Sequence, residues 1–131
     1  MESLKDKINK VKEFHIVFKL PHQEEPVAEI DEKVIRLRHR LMQEENDEYL
    51  DACLKGDLVE IADALGDKLY ILCGTIISHG LQYKIEELFD EIHRSNMSKL
   101  DENGQPIYRE DGKIMKSQSY FKPDIKGVLD I

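Results

Sequence analysis

Between Leu58 and Ser78 the sequence reads LVEIADALGDKLYILCGTIIS, apolar on nearly every side of a helix. Yet Glu60, Asp63 and Asp67 recur inside it at spacings of three and four, so they share one stripe. The preceding segment repeats the pattern: Glu45 and Glu48 are three apart within EENDE, and Gly56 stands between the two segments. A connection this short makes two helices antiparallel neighbours. The carboxylates of both segments lie within a dozen residues of the turn, on facing surfaces, and so are expected to converge. Aspartate is a poor mid-helix residue, and like charges at helical spacing destabilise a helix by about 0.2–0.5 kcal/mol per pair. Burying unpaired carboxylates costs several kcal/mol more. Lys68 is off the stripe, so few cations on these helices could neutralise it. A divalent cation would, and an all-oxygen ligand set suits Mg²⁺ or Mn²⁺ rather than zinc. The plainer alternative makes Glu60 a capping residue, since Asp57-Leu-Val-Glu60 has capping-box spacing, and makes Glu44, Glu45 and Glu48 a solvated face.

The rest of the chain reads as further helix. Leu4, Ile8, Val11, His15 and Phe18 recur at helical spacing, which predicts a first helix over about 3–18 with Ser3 and Asp6 capping it. Pro21 and Pro26 mark a loop. Asp31 caps a second helix to about Leu54, and Asp57 a third to about Ser78, closed by Gly80. A fourth spans about Lys84 to Asn96, with Ile85, Leu88, Phe89 and Ile92 inward. Asp-Gly at Asp111–Gly112 signals a short hairpin. Pro123 disfavours helix before it, so the tail is expected to be extended. The expected fold is all-α: one domain over 1–131, a four-helix bundle with a short C-terminal hairpin and extended tail.

A chain of 131 residues can bury roughly two-thirds of its unfolded surface, enough for a real core. Its net charge of −8 argues against a nucleic-acid backbone or an anionic membrane as partner. It does not exclude a phosphorylated ligand if metal ions stand between. Cys53 and Cys73 lack CxxC spacing and read as reduced thiols of a cytoplasmic protein.

EENDE at Glu44–Glu48 followed by EIAD at Glu60–Asp63 is an EExxE…ExxD pattern. With VKEFH at Val11–His15, LRHRLMQEE at Leu37–Glu45 and HRSNMSKL at His93–Leu100, the chain resembles the all-α nucleoside triphosphate pyrophosphohydrolase superfamily. These are the MazG-like and phosphoribosyl-ATP pyrophosphohydrolase-like enzymes. SYFKPDI at Ser119–Ile125 is similar to the tail of its MazG-like, phage-type branch. Eleven residues separate Glu48 from Glu60, at the short end of that family's range. The resemblance implies Mg²⁺-dependent hydrolysis of a nucleotide between the α and β phosphates, giving a monophosphate and pyrophosphate. It makes Glu45, Glu48, Glu60 and Asp63 metal ligands, Asp67 a ligand to a second metal or its water, and Glu44 the residue that orients or deprotonates the attacking water. It points to a homo-oligomer, a dimer or a dimer of dimers. The apolar stripes of helices one and three suggest the same.

Phosphates also need donors. Ile92, Asn96 and Lys99 continue the inward stripe of the fourth helix into polar residues, so Asn96 and Lys99 are candidate phosphate contacts. The plainer alternative makes Lys99 a solvated lysine past a helix C-terminus, where cations are favoured. Lys116 and Tyr120 are candidates for a tail closing over the ligand. Phe14 and His15 could meet a nucleobase or simply fill the core. DENG at Asp101–Gly104 lacks the offsets of a calcium loop and reads as a turn. A di-iron bundle wants two ExxH motifs, and Asp90–His93 is only DxxH. The other rival is a non-catalytic helical metal-binding or dimerisation module.

Overall fold

The computed structural model describes residues 1–131 and is all-helical, with five helices and no strand. It divides into two compact units, residues 1–83 and 84–131.

The first unit holds α1 (Leu4–Val17), α2 (Glu32–Lys55) and α3 (Leu58–Ser78). Ser3 starts α1 with a capping box: its hydroxyl accepts from Asp6 N–H at 3.3 Å, and the Asp6 carboxylate accepts from Ser3 N–H at 2.9 Å. Ile8, Val11 and His15 form its buried face. Phe18 closes the helix, and Lys19 then adopts the left-handed conformation (φ 57°), letting Leu20 N–H donate to His15 O at 2.7 Å. The loop that follows docks on the end of α3. Gln23 N–H donates to Ile77 O and Val27 N–H to His79 O. Gly80 (φ 67°) lies so close to the Glu25 carbonyl that any Cβ there would collide with it.

Asp31 caps α2, and Gly56 ends it with φ 66°, a left-handed position where glycine bears no Cβ strain. Asp57 caps α3 by accepting from Glu60 N–H at 3.2 Å. α2 and α3 are antiparallel, since Arg38 meets Ile71 and Thr75 while Asn46 meets Lys68. Ala52 from α2 and Ala64, Cys73 and Ile77 from α3 are buried in this unit. No helix is long and apolar enough to cross a membrane.

The second unit holds α4 (Ile85–Met97) and α5 (Ile125–Leu129). The expected hairpin is present only as one antiparallel bridge, Tyr108 to Ile114, around Gly112 (φ 87°). The tail is not the extended segment expected: residues 118–119 make a turn, and Asp124 caps the short α5, accepting from Gly127 N–H at 3.0 Å. Serine hydroxyls fasten this tail to α4. Ser95 donates to Phe121 O at 2.8 Å, Ser98 accepts from Phe121 N–H at 3.1 Å, and Ser117 donates to Leu100 O at 2.7 Å. Asp101 makes the turn expected at DENG, accepting from Asn103 and Gln105 N–H.

Candidate active site

The two-residue connection Gly56–Asp57 and the antiparallel packing of α2 on α3 place the carboxylate segments opposite one another. Glu48, Glu60 and Asp63 line one cavity of about 420 Å³, together with Asp51, Ala52, Lys55 and Asp57. Asp51, Lys55 and Asp57 are site-lining residues that sequence reasoning had passed over. The signal was there: Asp51 follows Glu48 by three, and Lys55 follows Asp51 by four, so both continue the same helical face. The ammonium of Lys55 rests 3.3 Å from the Asp51 carboxylate on an exposed edge, a weak pair at that exposure.

Glu45 differs from its neighbours. It is partly buried, and its Oε2 has no hydrogen-bond partner. Burial, then the adjacent Glu48 carboxyl, then the charges of Asp67 and Asp63 push its pKa up to about 7. Glu48, Glu60, Asp63 and Asp67 are exposed. The surroundings expected to bury Asp63 are themselves open: Leu58 and Val59 are each 76% exposed and Leu65 is 50% exposed. The apolar residues of α3 therefore do not enclose the carboxylates, and the burial cost is concentrated on Glu45. No three carboxylate, imidazole or thiolate groups stand close enough together to enclose an ion. The donor set is nonetheless all oxygen, net negative, and includes one shielded oxygen with no donor. Those are the properties a hard divalent cation compensates.

The flanking residues of EENDE have partners of their own. Glu44 is exposed and faces Arg40 at 4.0 Å. Asn46 accepts from Lys68 at 2.9 Å, so Lys68, though off the carboxylate stripe, ties α3 to α2 beside it. In the second unit, Asn96 is exposed on α4, Lys99 follows the helix end, and the Lys116 ammonium stands 4.8 Å over the Tyr120 ring. His15 belongs to the core. It is 2% exposed, and its Nδ1 meets Pro21 O at 3.0 Å. Burial, opposed by that hydrogen bond, holds its pKa below the usual histidine value, and the nearby Arg38 charge adds to the effect. Phe14 remains 38% exposed.

Set beside known proteins, residues 11–96 match the family model described as phosphoribosyl-ATP pyrophosphohydrolase. The matched region contains every carboxylate of the cavity. No curated protein matches the chain.

Proposed function

From the premise that the chain belongs to the phosphoribosyl-ATP pyrophosphohydrolase family, within the MazG-like all-α superfamily, we propose that it hydrolyses a nucleoside triphosphate or related nucleotide between the α and β phosphates. The family's members are hydrolases of phosphoric anhydrides, which makes this chain a nucleotide pyrophosphohydrolase in general terms. The observation that carries the finer reading is Glu45, a shielded carboxylate crowded by Glu48, Asp63 and Asp67, with an oxygen that no group of the chain satisfies.

In this reading Glu45, Glu48, Glu60 and Asp63 would hold Mg²⁺ or Mn²⁺, and Asp67 would serve a second ion or its water. Such an ion neutralises phosphate charge and lowers the pKa of bound water. Glu44 accepts the proton of the water that attacks the α phosphorus. The bond to the bridging oxygen breaks, and pyrophosphate leaves with the electron pair. Asn96 and Lys99 are proposed as phosphate contacts, and Lys116 and Tyr120 as tail residues over the ligand, on the family resemblance of their segments. The positive side chains are needed because the carboxylates alone would repel a polyphosphate.

The functional unit is proposed to be a homo-oligomer built on a dimer. Leu58, Leu65, Leu69 and Leu72 share one face of α3 and are 76%, 50%, 54% and 43% exposed, a surface suited to a second copy.

A panel of ribo- and deoxyribonucleoside triphosphates with Mg²⁺ or Mn²⁺, scored for pyrophosphate against orthophosphate, tests the activity. Hydrolysis in ¹⁸O-water tests the bond: label in the monophosphate supports attack at the α phosphorus, and a nucleoside diphosphate product would sink the assignment. The family model's own description favours a second substrate, phosphoribosyl-ATP, which belongs in the same panel.

A further inference from the structure

α1 and α3 carry three aromatic rings that meet at the surface. Phe14 and Phe18 stack with centroids 4.4 Å apart and planes tilted by 33°. Tyr70 meets Phe14 edge-on, at 5.7 Å and 86°. All three stay accessible: Phe14 is 38% exposed, Tyr70 43% and Phe18 61%. The left-handed turn at Lys19, closed by Leu20 N–H on His15 O, follows directly on Phe18 and holds the end of α1 at the cluster.

The cluster's position relates it to the carboxylates. Tyr70 follows Asp67 by three residues and Asp63 by seven, so it sits on the same side of α3, two turns or roughly 10 Å along the axis from Asp63. The exposed leucines lie on the other side. Leu65 is two residues from Asp63 and Leu69 two from Asp67, a separation that turns a helical side chain to the opposite face. The surface suited to a second copy and the aromatic surface are therefore different faces of α3. What continues from the carboxylate stripe is a set of flat, accessible π-faces, within reach of a sugar and base extending from phosphates held at Asp63.

We infer that Phe14, Phe18 and Tyr70 form a stacking platform for the heteroaromatic base of a nucleotide whose phosphates lie at the carboxylate cavity. This rests on the pyrophosphohydrolase reading for the position of the phosphates. Stacking tolerates any base, because every base has a π-face. The two phenylalanines offer no hydrogen-bonding group, so their stacking holds the base without reading its edge.

The test separates the platform from the hydrolase activity. Aromatic ring signals of Phe14, Phe18 and Tyr70 are followed by NMR while adenosine monophosphate, and in a parallel sample ribose 5-phosphate, is added with Mg²⁺. The platform predicts ring shifts with the nucleotide and none with the sugar phosphate; unmoved rings with both ligands overturn it. In turnover, Phe18→Leu and Tyr70→Leu are expected to raise KM for the best nucleoside triphosphate by roughly 5- to 150-fold. Inhibition by pyrophosphate, which has no base, stays unchanged. Variants that lower the oligomeric state in sedimentation while leaving KM unaltered would show a subunit contact and overturn the platform. Ring shifts in a protein that turns over no nucleotide would support the platform and count against the hydrolase reading alone.

Discussion

Gly74 and Arg38 leave no room for a carbon between them: a Cβ built on Gly74 would stand 2.6 Å from Arg38 Nη2, and 2.8 Å from Nε2 of His15. The guanidinium can lie against α3 because the helix presents bare backbone there. It donates to Ile71 O at 2.8 Å and Thr75 Oγ1 at 3.1 Å. Gly74→Ala is expected to destabilise the protein by about 1–3 kcal/mol through overpacking. Any gain in helix propensity, about 1 kcal/mol, is smaller than the upper part of that range. Denaturant midpoints decide it; an alanine variant at least as stable as the parent would mean that Arg38 moves aside freely.

Glu45 gives the metal-free protein a pH-dependent stability. Its folded pKa of about 7 lies above the ordinary carboxylate value, so the fold binds a proton that the unfolded chain has already released. Stability is fully present below about pH 4.5 and is lost as pH rises through about 7. The full shift would correspond to roughly 3 kcal/mol, and solvent around the exposed partners reduces it to about 1–2 kcal/mol. Denaturation in chelator at pH 5 and pH 8 measures it. Glu45→Gln should flatten this dependence; a slope unchanged in that variant would assign the titration to another group.

Glu48→Gln and Asp63→Asn each remove one charge from the cavity while keeping the side chain's shape. Both are expected to abolish turnover, leave the circular dichroism spectrum unaltered and slightly stabilise the metal-free fold. Inactivity accompanied by loss of helix would defeat the reading of these residues as ligands.

Leu65→Glu or Leu69→Glu places a charge in the exposed leucine face of α3. The parent chain is expected to sediment as a dimer or dimer of dimers at micromolar concentration, and either variant as a smaller species. A monomeric parent would remove the oligomer from the proposal.

The helices were legible because their signals are local. Ser3, Asp31 and Asp57 sit where caps were expected, and Gly56 ends α2 as its position requires. The carboxylate cavity was legible because a short turn fixes which faces meet. Three things were not. Exposure of α3 depends on what else covers it: a helix apolar on nearly every side implies enclosed surroundings for Asp63, yet Leu58, Val59 and Leu65 beside it are open. The short α5 was missed because Pro123 speaks only for the residue before it, while the helix begins after it at Ile125. Asp51 and Lys55 were overlooked because each is explained equally well as half of a surface ion pair, and only the cavity distinguishes the two.

Ser95 and Ser98 address backbone atoms of the C-terminal tail, and the Glu91 carboxylate does the same by accepting from Asp124 N–H at 2.6 Å. Mutational tolerance should therefore be lopsided. The identities of residues 121 and 124 matter less to these bonds than those of Glu91, Ser95 and Ser98, whose side chains supply them. In a saturation scan, Glu91, Ser95 and Ser98 would accept few replacements, while position 121 tolerates more at these bonds. A grafted tail of different sequence could dock on an unchanged α4, provided it kept its amides free to donate at those two points and a hydroxyl at position 117.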